Sequence, residues 1–222
     1  MRLNRIVSSE VWHAERERLL SREKALTQAQ DELAADRRRA SWMIVDRNYR
    51  FRNASGDTGL VDLFDGRRQL IVYHHMLKPA DPSPCPGCCM VGDQIPHLAH
   101  LRARDTSVVF VSCAPSSDIE DFRRRMGWQV PWFETTPAFN SAFDVTTGFG
   151  VNVFIIDDGT IYRTYFTSGR GVETLGTVWT LLDITPLGRQ EAWEDSPGGP
   201  TQTPPYAWWR LHDEYDNQTQ QV

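Results

Sequence analysis

No run in the 222-residue chain is long and apolar enough for a transmembrane helix. Its opening residues, Met1-Arg-Leu-Asn-Arg-Ile-Val-Ser-Ser, lack the apolar centre of a secretory signal. These two absences set the expectation of no membrane partner and a cytoplasmic location. Positive charge is not in surplus. Twenty-four Lys and Arg stand against 29 Asp and Glu, a net charge of -5, so the basic footprint that nucleic acid would need is missing. No internal repeat is visible. Cysteine is scarce, with four in all, and three of them (Cys85, Cys88, Cys89) are crowded together. That pattern excludes the framework of a secreted disulfide scaffold, and in a reducing cytosol it reads as redox-active or metal-binding. Histidine is absent between His100 and His212, which leaves any metal site short of ligands.

What is present is ordinary for a globular domain, 40% hydrophobic and 24% charged. One stretch stands out. Leu70-Ile-Val-Tyr-His-His-Met reads as a buried strand. A proline-rich connection follows, then Pro84-Cys85-Pro86-Gly87-Cys88-Cys89 opens a segment in which Val91, Ile95 and Leu98 recur at helical spacing. Pro86 suits a first helical position, where its missing N–H is no loss. Cys85 would then stand at the helix N-terminus with Cys88 about one turn on, close enough to form a disulfide. The unpaired N–H groups and helix dipole favour a thiolate at Cys85. Strand, C-x-x-C, helix is the order of a thioredoxin-like redox site.

The remaining elements extend that order. Residues 1–41 are expected to be an N-terminal helical extension. It is capped at Ser8 or Ser9, and Trp12, Leu19, Leu26 and Leu33 repeat every seven residues on a stripe too narrow for a coiled coil. Residues 42–184 should form the main domain. Within it, Trp42 to Val45 and Tyr49 to Phe51 read as a short strand pair, and Gly56 and Gly59 as a turn. A kink at Pro96 is expected in a helix running to about Arg104. Thr106 to Ser112 is a second buried strand, and a capped helix around Ile119, Phe122 and Met126 follows. Gly150 to Phe166 is a hairpin turning at Asp158-Gly159, and Arg170 to Leu182 a last helix. Residues 185–222 form an extended arm whose tryptophans, Trp193, Trp208 and Trp209, should dock it on the domain or on a partner subunit, with Gln218 to Val222 disordered. A homodimer is one assembly consistent with this. The fold class is thus α/β, a thioredoxin-like three-layer α/β/α sandwich with an added N-terminal helix and an extended C-terminal arm.

Several motifs carry a more specific resemblance. Ala25-Leu26-Thr27, Asp31-Glu-Leu-Ala-Ala, Gln69-Leu-Ile-Val-Tyr-His, Cys85-Pro-Gly-Cys, Arg125-Met-Gly-Trp, Pro131-Trp132, Asp183-Ile-Thr-Pro-Leu-Gly-Arg and His212-Asp-Glu-Tyr resemble the DUF899 family of bacterial thioredoxin-like proteins. The resemblance implies the fold and leaves the activity open. Phe154-Ile-Ile-Asp-Asp-Gly-Thr-Ile is more distantly similar to the hairpin of the peroxiredoxin and alkyl hydroperoxide reductase group, although Pro82 stands where that group carries a threonine.

The residues therefore point to a thiol–disulfide oxidoreductase with Cys85 and Cys88 as catalytic thiols, acting on a disulfide or peroxide substrate and re-reduced by a separate reductant. The alternatives are a thioredoxin-fold binding or scaffold protein without catalysis, or a peroxiredoxin-like peroxide reductase. Cys89 and Cys113 are auxiliary candidates, and Cys113 reads equally as a resolving thiol or a small core residue. His74 and His75 end the central strand, so one of them should face the thiols, where its cation would lower a thiolate pKa. No cofactor is expected, nor a tightly held metal. His97 would lie on the order of 13 Å along the helix from Cys88, too far to share a zinc ion. Cys85 and Cys89 also make C-x-x-x-C, a copper spacing without the histidine that should accompany it.

Overall fold

Alternation through Gln69–His74 sends Leu70 and Val72 to one side and Tyr73 to the other, and all three are buried. A strand buried on both faces needs a covering layer on each. The computed structural model, which describes residues 4–46, 48–195 and 201–215, supplies both. Its strands are β1 (Met43–Ile44), β2 (Arg50–Asn53), β3 (Gly56–Gly59), β4 (Gln69–His74), β5 (Thr106–Ser112), β6 (Trp132–Glu134), β7 (Gly150–Asp157) and β8 (Thr160–Ser168). Its helices are α1 (Ser9–Arg39), α2 (Pro86–Asp93), α3 (Leu98–Arg102), α4 (Ser116–Arg125), α5 (Pro137–Ala142) and α6 (Thr177–Asp183).

The strands form one sheet in the order β1-β8-β7-β4-β5-β6-β2-β3. β4 runs parallel to β5 and antiparallel to β7, and β7 returns as β8 through Asp158 and Gly159, both at positive φ. Successive steps from β4 to β5 to β6 go the same way across the sheet. Right-handed crossovers then place α2 and α4 on one face. There Val91 of α2, Ile119 and Phe122 of α4 and Trp179 of α6 share a core with Tyr73 and Phe110. The opposite face is covered by Phe139 of α5 with Phe143, Leu63, Phe64 and Phe51. This is the thioredoxin-like α/β/α sandwich, with α2 starting beyond the carboxyl end of its central strand.

The long α1 is capped as expected, the Ser8 hydroxyl accepting from the Val11 N–H at 3.4 Å. It buries no residue, and Trp12, Leu19, Leu26 and Leu33 stay about half exposed. Near its end the Arg37 guanidinium lies 4.9 Å from the centre of the Tyr165 ring.

Four local expectations are corrected. β1 and β2 do not pair with each other. β1 adds to β8 at one edge while β2 joins β3 and β6 near the other, because Phe51 is drawn into contact with Phe139 at 4.8 Å. Gly56 to Gly59 is a strand rather than a turn, held by pairing with β2 and by the Arg52–Asp57 ion pair at 2.5 Å. Pro96 ends the helix instead of kinking it. α2 stops at Asp93 and α3 begins only at Leu98, since proline can neither donate to the preceding turn nor leave room for it. The last helix is also divided, into a 3-10 segment (Gly169–Leu175) and α6. Extended Gly176 separates them, and the Gln94 side chain accepts from the Val178 N–H at the start of α6.

The arm docks on its own domain. Arg189, nearly buried, pairs with Asp183 at 2.7 Å and Glu173 at 3.0 Å. Glu191 is 1% exposed, and its carboxylate accepts from the indoles of Trp193 (2.5 Å) and Trp208 (2.8 Å) and from the Tyr206 backbone N–H (2.8 Å). Further on, Asp213 and Glu214 grip Arg125 of α4, and His212 meets Asp93 of α2 at 2.7 Å. Trp193 stays 49% exposed, with the Arg170 guanidinium 4.8 Å from its ring centre. The expected disorder of Gln218 to Val222 falls outside the described residues.

Burial pushes the Glu191 pKa up, but its three N–H donors outweigh that and hold it below the usual value. A depressed folded-state pKa contributes stability above the unfolded value of about 4.3, lost as pH falls through the folded one. Glu191→Gln should therefore destabilise the protein by about 1–3 kcal/mol at neutral pH. Urea unfolding across pH checks this. The gap between variant and parent should narrow below the unfolded carboxylate pKa.

Candidate active site

α2 begins at Cys85 because the residue after it is proline and its own backbone is extended, at φ −62° and ψ 114°. That puts the Cys85 sulfur over the free N–H groups of the first turn, the positive end of the helix dipole. The sulfur accepts from the Cys88 thiol and from the backbone N–H groups of Cys88 and Gly87. The Cys88 hydrogen bond is the largest influence. Together these overcome partial burial and lower the Cys85 pKa to about 6.

Cys88 is fully buried, and desolvation first, then the hydrogen bond and charge of Cys85, push its pKa well up. The Tyr73 hydroxyl donates to Cys88, opposing that rise. A chain of donors thus runs from Tyr73 to Cys88 to Cys85. The sequence reading missed Tyr73, although strand alternation offered a signal. Only one of Tyr73 and His74 can share the face on which α2 packs.

Neither histidine fills the role expected for it. His74 lies on the opposite face, its Nδ1–H donating to Asn140 at 2.9 Å and its Nε2 accepting from Asn152 at 3.0 Å. Burial lowers its pKa to about 4, so it is neutral. His75 is enclosed by Phe110, Phe122, Trp128 and Trp132, with Nδ1 accepting from the Leu77 N–H at 3.1 Å. Burial lowers its pKa to about 3. A cation in either place would have to be desolvated without a partner, and proton loss is the cheaper state.

The other two thiols are separated in character. Cys89 is fully buried in the core, its pKa driven far up by desolvation. Cys113 accepts from the Asn140 amide at 3.6 Å and lines a cavity with Met76, Leu77 and Lys78 that shares no lining residue with the one beside Cys85. All four cysteines are free. Among the described residues no group of three or more His, Cys, Asp or Glu side chains could hold a metal ion, and no helix is long and apolar enough to cross a membrane.

The cavity at Cys85 measures about 420 Å³. Pro86, Gly87 and Val91 of the helix form one wall, Phe149 and Val172 another, and Trp179, Tyr206 and Trp209 the rest. Trp209 reaches this position because residue 87 is glycine. A β-carbon there would come within 2.5 Å of the indole. The two tryptophans and Tyr206 were not identified from sequence as site residues, since nothing local ties the arm to the C-x-x-C segment.

Alkylation of Cys85 should follow a midpoint near pH 6 in the parent protein. Cys88→Ala removes its strongest stabilising donor and should move that midpoint upward by about one unit or more. Iodoacetamide labelling across pH, read by peptide mass spectrometry, measures both. An unmoved midpoint would show that Cys88 does not tune Cys85.

Comparison with known proteins supplies the remaining facts. Among curated proteins none matches the chain. Solved structures similar to it include a thioredoxin-family thiol:disulfide interchange protein from Chlorobium tepidum TLS. The two are 16% identical over 59% of this chain and 88% of the other, with TM-score 0.42. A PrxQ variant from Xylella fastidiosa is 16% identical over 60% and 86%, with TM-score 0.41. The bacterioferritin comigratory protein of Xanthomonas campestris is 13% identical over 57% and 86%, with TM-score 0.40. The model of one family, described as "Bacterial protein of unknown function (DUF899)", matches residues 1–215, and the chain belongs to that family.

Proposed function

We propose that the protein is a thiol–disulfide oxidoreductase in which Cys85 attacks and Cys88 resolves. One observation carries the reading: two thiols in hydrogen-bond contact have their pKa values driven in opposite directions, Cys85 down to about 6 and Cys88 well up. Near neutral pH the first is a nucleophilic thiolate while the second stays protonated and in reserve.

The chemistry follows from that division. The Cys85 thiolate attacks a substrate disulfide RS–SR′, forming Cys85–S–S–R and expelling R′S⁻, which takes a proton from solvent. Forming the mixed disulfide removes the negative charge from Cys85, and with it the charge that held the Cys88 proton. Cys88 then gives up that proton, with its sulfur still hydrogen-bonded by Tyr73, and attacks the Cys85 sulfur. RS⁻ leaves as RSH with the proton from Cys88, and a Cys85–Cys88 disulfide remains. A separate dithiol must reduce that disulfide to close the cycle. Such a cycle suits a reducing compartment.

Cys88→Ser should trap the mixed disulfide at Cys85 as an added mass equal to one substrate half. Cys85→Ser should abolish disulfide reduction. A Cys85→Ser protein that reduced a model disulfide at the parental rate would exclude this site and favour a binding role for the fold.

A further inference from the structure

Trp179 is 3% exposed and Trp209 half-buried, and both line the cavity at Cys85 with ring centres 5.8 Å apart. Neither Nε1–H has a hydrogen-bond partner among the described residues. The other arm indoles contrast with this pair, since Trp193 and Trp208 both donate to Glu191. A buried donor left unpaired costs about 1–3 kcal/mol. Two such donors on one cavity mark a place where an acceptor is missing.

The charges at the mouth are already matched. Glu173 pairs with Arg170 at 3.4 Å and with Arg189 at 3.0 Å, and Arg189 also meets Asp183 at 2.7 Å. A ligand carboxylate would enter an apolar pocket with no free cation to receive it. A neutral acceptor fits better. The walls (Val91, Phe149, Val172 and the tryptophan rings) suit an aromatic group, and about 420 Å³ lies within the roughly 300–1,000 Å³ usual for small-molecule pockets. The arm also raises Tyr206 and Trp209 beside Cys85, where a folded protein substrate would need a broad open face.

We infer that this cavity receives one half of a small aromatic disulfide and that the Trp179 and Trp209 indole N–H groups hold a neutral carbonyl on that half. The inference rests on the oxidoreductase reading and names its substrate class. Binding seats the aryl group against Val172 and Phe149 with its sulfur toward Cys85. The exchange is then the one written above, with an arylthiol as the first half released or retained.

The test uses pre-reduced full-length protein in single turnover with four probes: bis(4-acetylphenyl) disulfide, diphenyl disulfide, cystine and insulin. Each rate is normalised to that of the same probe with free mercaptoethanol. The acetyl-bearing probe should outpace diphenyl disulfide by about three- to tenfold, the worth of one ordinary hydrogen bond or slightly more. Trp179→Phe and Trp209→Phe, which keep a ring and lose the donor, should each reduce that advantage. Cystine and insulin should trail both aryl probes. Separately, 4′-methylacetophenone, which has no sulfur, should quench tryptophan fluorescence saturably in Cys85→Ser protein, and Trp179→Phe in that background should weaken it. Normalised rates for cystine or insulin equal to the aryl ones would overturn the inference, as would an absence of saturable quenching. If the ketone binds but no disulfide reacts, the carbonyl site stands and the redox reading falls. If all four disulfides react alike and the ketone does not bind, the redox reading stands and the substrate class falls.

Discussion

The indole of Trp209 lies against the α-carbon of Gly87, so close that any β-carbon at that position would come within 2.5 Å of the ring. Much of the site depends on this contact. It joins a residue between the two cysteines to the arm near the other end of the chain, and it makes the arm a wall of the cavity that Cys85 lines. The contact is held from behind. Glu191 gathers Trp193, Trp208 and the Tyr206 backbone onto one buried carboxylate, which fixes the segment from which Trp209 projects. Arg125 and Asp93 secure the residues just beyond. Charge is therefore spent on placing the arm, while the surface that faces Cys85 is left apolar.

That apolar surface changes the chemistry of the thiols. Desolvation penalises a thiolate everywhere in this region, and it wins outright at Cys88 and Cys89. Cys85 escapes because three hydrogen-bond donors converge on it, two of them backbone N–H groups that a helix start leaves free. Helix geometry also orders the pair: the residue at the cap meets the free N–H groups, while the one a turn later is carried into the core. The asymmetry between Cys85 and Cys88 is thus a property of where α2 begins, and Pro86 sets that point.

The parts of the fold that sequence made legible are those decided locally. The apolar run at β4, the Asp158-Gly159 turn, the Ser8 cap and the Pro86 helix start each state their own conformation, and the order of elements then restricts the topology. What stayed hidden is decided at a distance. β1 and β2 are both short extended pieces, and nothing in Met43-Ile44 or Arg50 to Asn53 says which edge of the sheet each will join. Proline and glycine were read as weaker punctuation than they are, so Pro96 and Gly176 divide segments that periodicity alone would continue. The site divides the same way. Cys85 and Cys88 announce themselves by spacing, whereas Tyr73, Trp179 and Trp209 arrive from a strand, a late helix and the arm.

The end of β4 shows why residue type alone misassigns a site. Tyr73, His74 and His75 are consecutive, and the two histidines were the natural choice to tune a thiolate. Alternation gives the α2 face to Tyr73 and turns His74 to the other layer, where Asn140 and Asn152 fix its tautomer. His75 leaves the ladder and is caged by aromatic rings. Both imidazoles lose their protons for the same reason Cys88 keeps its own, because burial disfavours whichever form is charged. Stabilisation of the Cys85 anion then falls to donors that need no charge of their own: a thiol, two peptide N–H groups and, one step back, a phenol. Such donors keep their strength where a cation could not survive, which reconciles an apolar cavity with an ionised nucleophile at its edge.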